Sequence, residues 1–217
     1  MLIRPNPPGQ ATEAFLAGLP AFLSGPSAGG EGRRGREGNV GGAPVLPAES
    51  GLRRTGELQH DPQEMFILNP LDLARGAGAE AARSVAWQFF AGTTPDSTVS
   101  GRCTRDRQTA RWRLANISYG ERAWQWLQAS SGLDRHREVQ AEQNYEMRVL
   151  SVAGLLVEAY WLLALSGGND LVVIVPAPPD QLYRQLNAQP VYALLDFLEI
   201  VRGLVKARPQ CRSGAGG

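Results

Sequence analysis

Apolar side chains recur at helical spacing near the start of the chain. Thr12 is placed to cap a helix, and the apolar positions after it recur at intervals of three and four residues, which brings them onto one helical face. These positions are Phe15, Leu16, Leu19, Phe22 and Leu23. We predict a short amphipathic helix within residues 1–24, limited by Pro20. Its apolar face either packs on the rest of the protein or docks into a partner's groove, and in the second interpretation these five are the docking residues.

The apolar pattern disappears between residues 25 and 57, where glycine and arginine are frequent and large apolar side chains are few. Such a segment buries too little apolar surface to offset the entropy lost on ordering, which predicts a disordered Gly/Arg-rich linker. We interpret the arginine run at 33–36 as solvated, with contact to RNA or an acidic surface as the alternative. The composition of residues 209–217 indicates a flexible tail.

Periodicity returns over residues 58–208, which we assign to a single domain. The predicted elements are a helix at 77–91, strands at 145–152, 155–165 and 171–175, a short helix at 178–186, and an amphipathic helix from 190 to near 208. A helix is the alternative for residues 155–165, because its apolar run fits either structure. The fold class is therefore predicted as α+β, with a mainly antiparallel sheet of about five strands packed by helices.

Residues 99–114 are typical of a β-hairpin, because both halves alternate with period two. A two-residue turn at Asp106 and Arg107 sets the register. The pairs on one face are then Cys103 with Ala110, Gly101 with Trp112, and Val99 with Leu114. This register buries the Cys103 thiol and lays the Trp112 ring over Gly101, as aromatic rings often do over a strand glycine.

Three arginines on the opposite face of this hairpin are the candidate anion-binding residues: Arg102, Arg111 and Arg113. Arg102 and Arg111 would lie across from each other, and like charges so placed repel. A phosphate, a nucleic-acid backbone, an acidic partner or a carboxylate of the same chain (Glu146 or Glu158) would offset that repulsion. An ordinary solvated sheet face is the remaining alternative.

Glu158 is the one charged residue in the apolar run at 149–165. A carboxylate in such surroundings must be paired, exposed on one sheet face, or protonated. We favour pairing with Arg148 or a hairpin arginine over a catalytic role. The run is also too short to span a bilayer comfortably, so no membrane span is predicted.

No other pattern indicates catalysis. Cys103 and His136 are the only plausible nucleophile–base pair, but Cys103 falls on the predicted core face, where a thiol is inert. The two cysteines, Cys103 and Cys211, form no CxxC cluster, the glycines at 76 and 78 before the predicted helix do not belong to a GxGxxG motif, and GxxxxGK[ST] does not occur. We therefore predict no catalytic residue, metal site or cofactor.

The balance of charged residues limits the classes of partner that the protein is expected to bind. The 217 residues contain 22 Lys+Arg and 21 Asp+Glu, for a net charge of +1, which argues against a dedicated DNA-binding protein. Lys206 is the only lysine, and this arginine bias favours a GC-rich bacterial genome. A reducing cytoplasm is the predicted location. The weakly signal-like run at 14–23 leaves secretion as the alternative.

The leading hypothesis is a non-enzymatic interaction or accessory protein that docks through its N-terminal helix or a sheet face onto another protein or a second copy of itself. The first alternative is an anion or nucleic-acid binder that uses the arginine face of the hairpin. The second is a hydrolase or transferase with an unrecognised site. A concave pocket that gathers Glu158, His136 or aspartates would favour this last hypothesis.

Overall fold

The structure, a computed structural model, describes residues 1–23, 62–140, 144–175, 186 and 191–207. The predicted linker and tail, and the predicted helix at 178–186 apart from its last residue, fall outside these ranges. Within them the strands are β1 (Leu2–Ile3), β2 (Gln63–Leu68), β3 (Arg83–Ala91), β4 (Val99–Arg105), β5 (Trp112–Tyr119), β6 (Tyr145–Val152), β7 (Val157–Ala164), β8 (Leu171–Ile174) and β9 (Val191–Ala193). The helices are α1 (Gly9–Leu23), α2 (Pro70–Ala74), α3 (Glu121–Gly132), α4 (Arg137–Gln140) and α5 (Leu194–Ala207).

All nine strands of the described ranges belong to one mixed sheet. Eight follow the order β5-β4-β3-β2-β6-β7-β8-β9, and β1 pairs with β6 on the edge that β6 shares with β2. Neighbouring strands are antiparallel, except that β6 runs parallel to both β1 and β2. The predicted α+β class is correct, whereas the predicted sheet of about five strands is too small and omits the parallel pairs.

The segment predicted as a helix at residues 77–91 is mostly a strand. β3 lies centrally between β2 and β4, and a 3-10 turn at Ala79–Ala81 precedes it. Every residue of β3 from Ala86 to its end is buried, because helices cover both faces of the sheet there. A strand covered on both faces loses its polar alternation, so its apolar run cannot be told from a buried helix by periodicity.

The three predicted strands at 145–152, 155–165 and 171–175 and the C-terminal helix are confirmed in type. β6, β7 and β8 form an antiparallel meander, which rules out the helical alternative for residues 155–165. The amphipathic C-terminal helix is α5, which buries Phe197, Leu198 and Val201. It begins later than predicted, because β9 pairs with β8 just before it.

Helices pack against both faces of the sheet. On one face α3 buries Trp126 and Leu127 among apolar side chains of β2, β3, β6 and β7. On the other, α1 covers β3 to β5, while α2 and α5 cover β6 to β8. A polar residue on the α3 face is therefore enclosed only where α3 lies above it.

The face beneath α3 is strongly concave. β4 and β7 have three strands between them, so in a flat sheet they would lie about 19 Å apart. Nevertheless, the side chains of Arg102 on β4 and Glu158 on β7 meet at 2.8 Å. Even two extended side chains cannot bridge the flat distance, so the sheet must curl around α3. We call this side the concave face.

The N-terminal helix is part of the main domain. Phe15 is fully buried and stacks on Phe89 of β3 with ring centroids 5.1 Å apart, and Leu19 is also buried in this core. In this conformation their own sheet covers Phe15 and Leu19, which is the first of the two predicted interpretations, in which the apolar face packs on the rest of the protein. Leu16 is partly exposed, and the side chains of Phe22 and Leu23 lie outside the described residues.

The hairpin keeps its predicted faces but not its predicted register. Cys103 pairs with Leu114, Gly101 with Ile117 and Val99 with Tyr119, and a bulge follows Arg102. The turn is longer than two residues because the Asp106 carboxylate accepts hydrogen bonds from two backbone N–H groups within the loop, those of Gln108 and Thr109. Phe15, rather than Trp112, covers Gly101: a Cβ there would lie 2.5 Å from the Phe15 ring.

Candidate functional site

A row of polar side chains crosses four strands on the concave face. Gln63 of β2 pairs with Gln88 of β3, Gln88 with Arg102 of β4, and Arg102 with Asn116 of β5. Directly paired residues on neighbouring strands point to the same face of a sheet. The register therefore aligns two buried amides, the guanidinium of Arg102 and the exposed amide of Asn116 on the face that α3 packs against.

Part of this row borders a cavity between the sheet and α3. Its volume is about 90 Å³. It is lined by Gln88, Ser100, Arg102, Asn116, Ser118, Arg122 and Trp126. We call it the Gln88 cavity. All seven side chains carry hydrogen-bonding groups, including the indole N–H of Trp126, and the space that they line is large enough for a small molecule.

Gln88 is the most unusual of the lining residues. It is 1% exposed, and neither its Oε1 nor its Nε2 has a hydrogen-bond partner within the described part of the chain. A buried polar group left in that condition costs about 1–3 kcal/mol. A leucine of similar volume would avoid this cost, so the glutamine is unfavourable for stability alone.

One lining residue of the Gln88 cavity, Arg102, forms an ion pair with Glu158. Arg102 Nη2 lies 2.8 Å from each carboxylate oxygen of Glu158, whose side chain is 12% exposed. Arg122 of α3 is more distant, with Nη2 4.0 Å from Glu158 Oε2, and it is largely exposed. The carboxylate of the same chain that we proposed as a partner for the hairpin arginines is thus in contact with Arg102. Two guanidinium groups surround one carboxylate, which leaves a net positive charge.

A buried hydrogen-bonded layer beside the cavity fixes α3 on the sheet. The Tyr160 hydroxyl donates to the Trp126 carbonyl at 2.8 Å, and Gln63 Nε2 donates to Ser130 Oγ at 3.4 Å. Complete burial raises the pKa of Tyr160 well above its usual value, so the phenol remains a donor. These contacts hold Trp126, one wall of the cavity, at a fixed height above β3.

The structure does not bring the three candidate anion-binding arginines together. Arg102 is enclosed with Glu158, whereas Arg113 is exposed and pairs with Thr104. Arg111 lies in the hairpin loop and lines, with Trp112, an open groove of about 560 Å³ beside α1. The predicted Arg102–Arg111 pairing is wrong, because the longer turn places Asn116 opposite Arg102 instead.

The Cys103–His136 pair cannot act as a catalytic dyad. Cys103 is buried in the core beneath α1, and His136 follows a 3-10 turn (Leu133–Arg135) that packs on the opposite face. Within the residues described, no three His, Cys, Asp or Glu side chains are grouped as a metal site would require. None of the helices described is long and apolar enough to cross a bilayer.

Cys103 is expected to resist thiol reagents in the folded protein. Burial raises the pKa of its thiol from 9.0 to about 11, so reactive thiolate is scarce at neutral pH, and the surrounding core also blocks access. In a Cys211→Ser variant, maleimide labelling at pH 7 should be slow until urea unfolds the chain. Rapid labelling without denaturant would show that α1 does not protect this core.

Sequence reasoning did not identify Gln88, Arg122 or Asn116 as site residues. The available signal was Gln88 itself, a polar residue within the otherwise apolar run from Val85 to Ala91. Interpreted as a helix, that run allowed Gln88 to point to solvent. Interpreted as a strand, it places Gln88 on the same face as Phe90, and therefore in the interior.

No family model, curated protein or solved structure matches this chain. Its function must therefore be argued from the site alone.

Proposed function

We propose that this protein is a non-enzymatic binding protein for a small polar anion, held in the Gln88 cavity on the concave face. The observation that carries the proposal is Gln88, which lines the cavity and whose buried amide has no hydrogen-bond partner for either of its polar atoms in the described chain. A ligand that supplied those hydrogen bonds would recover the free energy spent on burying them.

The charges around the cavity support an anion. Arg102 and Arg122 contribute two positive charges against the single negative charge of Glu158. Arginine presents its donors in a planar fork that matches a carboxylate or phosphate. Asn116, together with the hydroxyls of Ser100 and Ser118, supplies further hydrogen-bonding groups.

The same lining favours binding over catalysis. Glu158 Oε2 accepts a hydrogen bond from Arg102 Nη2, which lies equally close to Oε1, so this carboxylate is poorly placed to take a proton from a substrate. The lining residues include neither histidine nor cysteine, so Ser100 and Ser118 have no base to activate them as nucleophiles. A hydrolase or transferase mechanism lacks its essential pair here.

The geometry also bears on the other two hypotheses. A partner that docked on the apolar face of α1 could not contact Phe15 and Leu19 in this conformation, because both are buried against the sheet. Nucleic-acid binding would require a continuous face of arginines. The hairpin does not present one, since Arg102 is enclosed while Arg113 is exposed elsewhere. A small anion is the ligand that the cavity fits best.

Replacing Gln88 with leucine tests the proposal. The apolar side chain should raise the free energy of unfolding of the unliganded protein by about 1 kcal/mol, because it removes an unsatisfied amide at similar volume. The same variant should lose any rise in melting temperature that wild type shows with malonate, succinate, glutarate or phosphate. Differential scanning fluorimetry of the full chain and urea titrations measure both effects.

Gln63→Leu is the matched control. Gln63 is equally buried and is the cross-strand partner of Gln88, but it donates to Ser130 and does not line the cavity. It should keep the response to anions, because residue 63 does not line the cavity. If Gln88→Leu is destabilised and wild type responds to no small anion, the cavity holds structural water only and the proposal is wrong.

A further inference from the structure

We infer that the ligand of the Gln88 cavity is a small carboxylate that also carries a primary carboxamide, with the amide end against Gln88 and the carboxylate end towards Arg122. This inference rests on the proposed function and adds the chemical class of the ligand. Gln88 on the sheet and Arg122 on α3 make different demands on the molecule that fills the cavity.

The Gln88 amide requires a ligand that offers a hydrogen-bond donor and an acceptor together. Oε1 can only accept a hydrogen bond and Nε2 can only donate, and both atoms lack partners in the described residues. A ligand carboxylate offers acceptors alone, so it would leave Oε1 unsatisfied. An ammonium group offers donors alone and would leave Nε2 unsatisfied. A primary carboxamide offers one of each in the same planar arrangement, and two facing amides satisfy each other.

The α3 side of the cavity, where Arg122 lies, favours a negatively charged group on the ligand. Of the two guanidinium groups, Arg102 is held at 2.8 Å by Glu158, while Arg122 is 4.0 Å away and more exposed. Arg122 is therefore the one that can turn to a ligand carboxylate without breaking a short ion pair. It stands in the first turn of α3, whose N-cap residue Gly120 has no side chain to accept from the first amides. The positive end of that helix adds to the attraction for an anion.

The volume of the cavity limits the size of the ligand that can lie between Gln88 and Arg122. An ordered water requires roughly 10–15 Å³ of cavity volume. A volume of about 90 Å³ therefore admits a molecule of roughly six to nine non-hydrogen atoms. A four-carbon chain with a carboxylate at one end and a carboxamide at the other falls within that range. A nucleotide or a peptide of several residues does not.

Four ligands of equal size separate the two demands. Succinamate carries both groups, succinate replaces the amide with a second carboxylate, 4-oxopentanoate keeps the carbonyl but replaces the NH₂ with methyl, and succinamide has no charge. We expect isothermal titration of the full-length protein to show succinamate binding at least tenfold more tightly than each of the other three. Sites built around paired hydrogen bonds reject analogues that lack one partner.

Two variants assign the ends of the ligand. Gln88→Leu should remove the preference for succinamate over 4-oxopentanoate, because the amide partner is gone. Arg122→Ala should remove the preference for succinamate over succinamide, with little change in stability, because this side chain is largely exposed. If the two variants exchange these effects, the orientation of the ligand is reversed from the one inferred.

The failure of this inference is distinguishable from failure of the proposed function. If succinate or 4-oxopentanoate binds as tightly as succinamate, the carboxamide assignment is overturned while anion binding in the cavity stands. The same holds if none of the four binds but malonate, glutarate or phosphate does so in a manner that depends on Gln88. If no anion of either panel binds, both proposals are overturned.

Discussion

Replacing Phe15 with alanine is expected to lower the free energy of unfolding by about 3–5 kcal/mol. The ring is fully buried, stacks on Phe89 and occupies the space that Gly101 leaves open. Its removal would leave a cavity that neighbouring strands cannot fill, because β3 and β4 are held by their ladder hydrogen bonds. Urea unfolding followed by tryptophan fluorescence would measure the loss, which is a large fraction of the roughly 5–15 kcal/mol typical of a folded domain.

Leu16→Ala is the control for this experiment. Leu16 is adjacent in sequence and equally apolar, but it is 38% exposed. Its truncation should change stability by no more than about 0.5 kcal/mol. Equal, small effects from both variants would show that α1 is detachable in solution, and the hypothesis that its apolar face docks onto a partner would then regain its support.

This contrast shows what an amphipathic pattern can predict. The helical spacing of Phe15 and Leu19 correctly indicates a buried apolar face, but it does not identify the surface that buries it. The missing information lies far along the chain, in Phe89 and in the glycine at 101 that lets a helix approach the sheet closely. A glycine in a strand signals such an approach without naming the partner.

Local alternation predicts strands well where only one face of the sheet is fully apolar. It succeeds for β6, where Tyr145, Met147 and Val149 face α3 while Glu146 and Arg148 lie on the other side. It fails for β3, which is buried on both faces. It also fails for β1, because two residues are too few to show any period.

The site could not be assembled from the sequence because it depends on the curvature of the whole sheet. Residues 102 and 158 are 56 positions apart, and three strands lie between theirs. The composition around Glu158 correctly suggested that it needs a charged partner. The choice of Arg102 over Arg148 follows from strand order and curl, neither of which leaves a local pattern.

Removing the carboxylate of Glu158 is expected to destabilise the protein by about 2–3 kcal/mol, somewhat less than the loss seen for fully buried pairs. In Glu158→Ala, Arg102 would remain only 27% exposed and without its short contact. The pair also joins β4 to β7 across the concave face, so its loss should allow the sheet to open over α3. Chemical denaturation measures the loss in stability directly.

A double-mutant cycle separates the pair from the two individual side chains. Arg102→Ala and Glu158→Ala should be strongly non-additive, with a coupling free energy of about 1–3 kcal/mol, because either change alone already breaks the contact.

The Arg148–Glu146 pair on the other side of the sheet provides the control. Its contact is equally short at 2.7 Å, but both residues belong to β6, and Arg148 also lies over the rings of Phe66 and Trp161 at 4.7 and 5.2 Å. Because those rings continue to hold the guanidinium, Glu146→Ala should cost less than about 1 kcal/mol. If Glu158→Ala costs no more than Glu146→Ala, the Arg102–Glu158 contact does not hold the curled sheet together. The enclosure of the Gln88 cavity would then have to come from the packing of α3 alone.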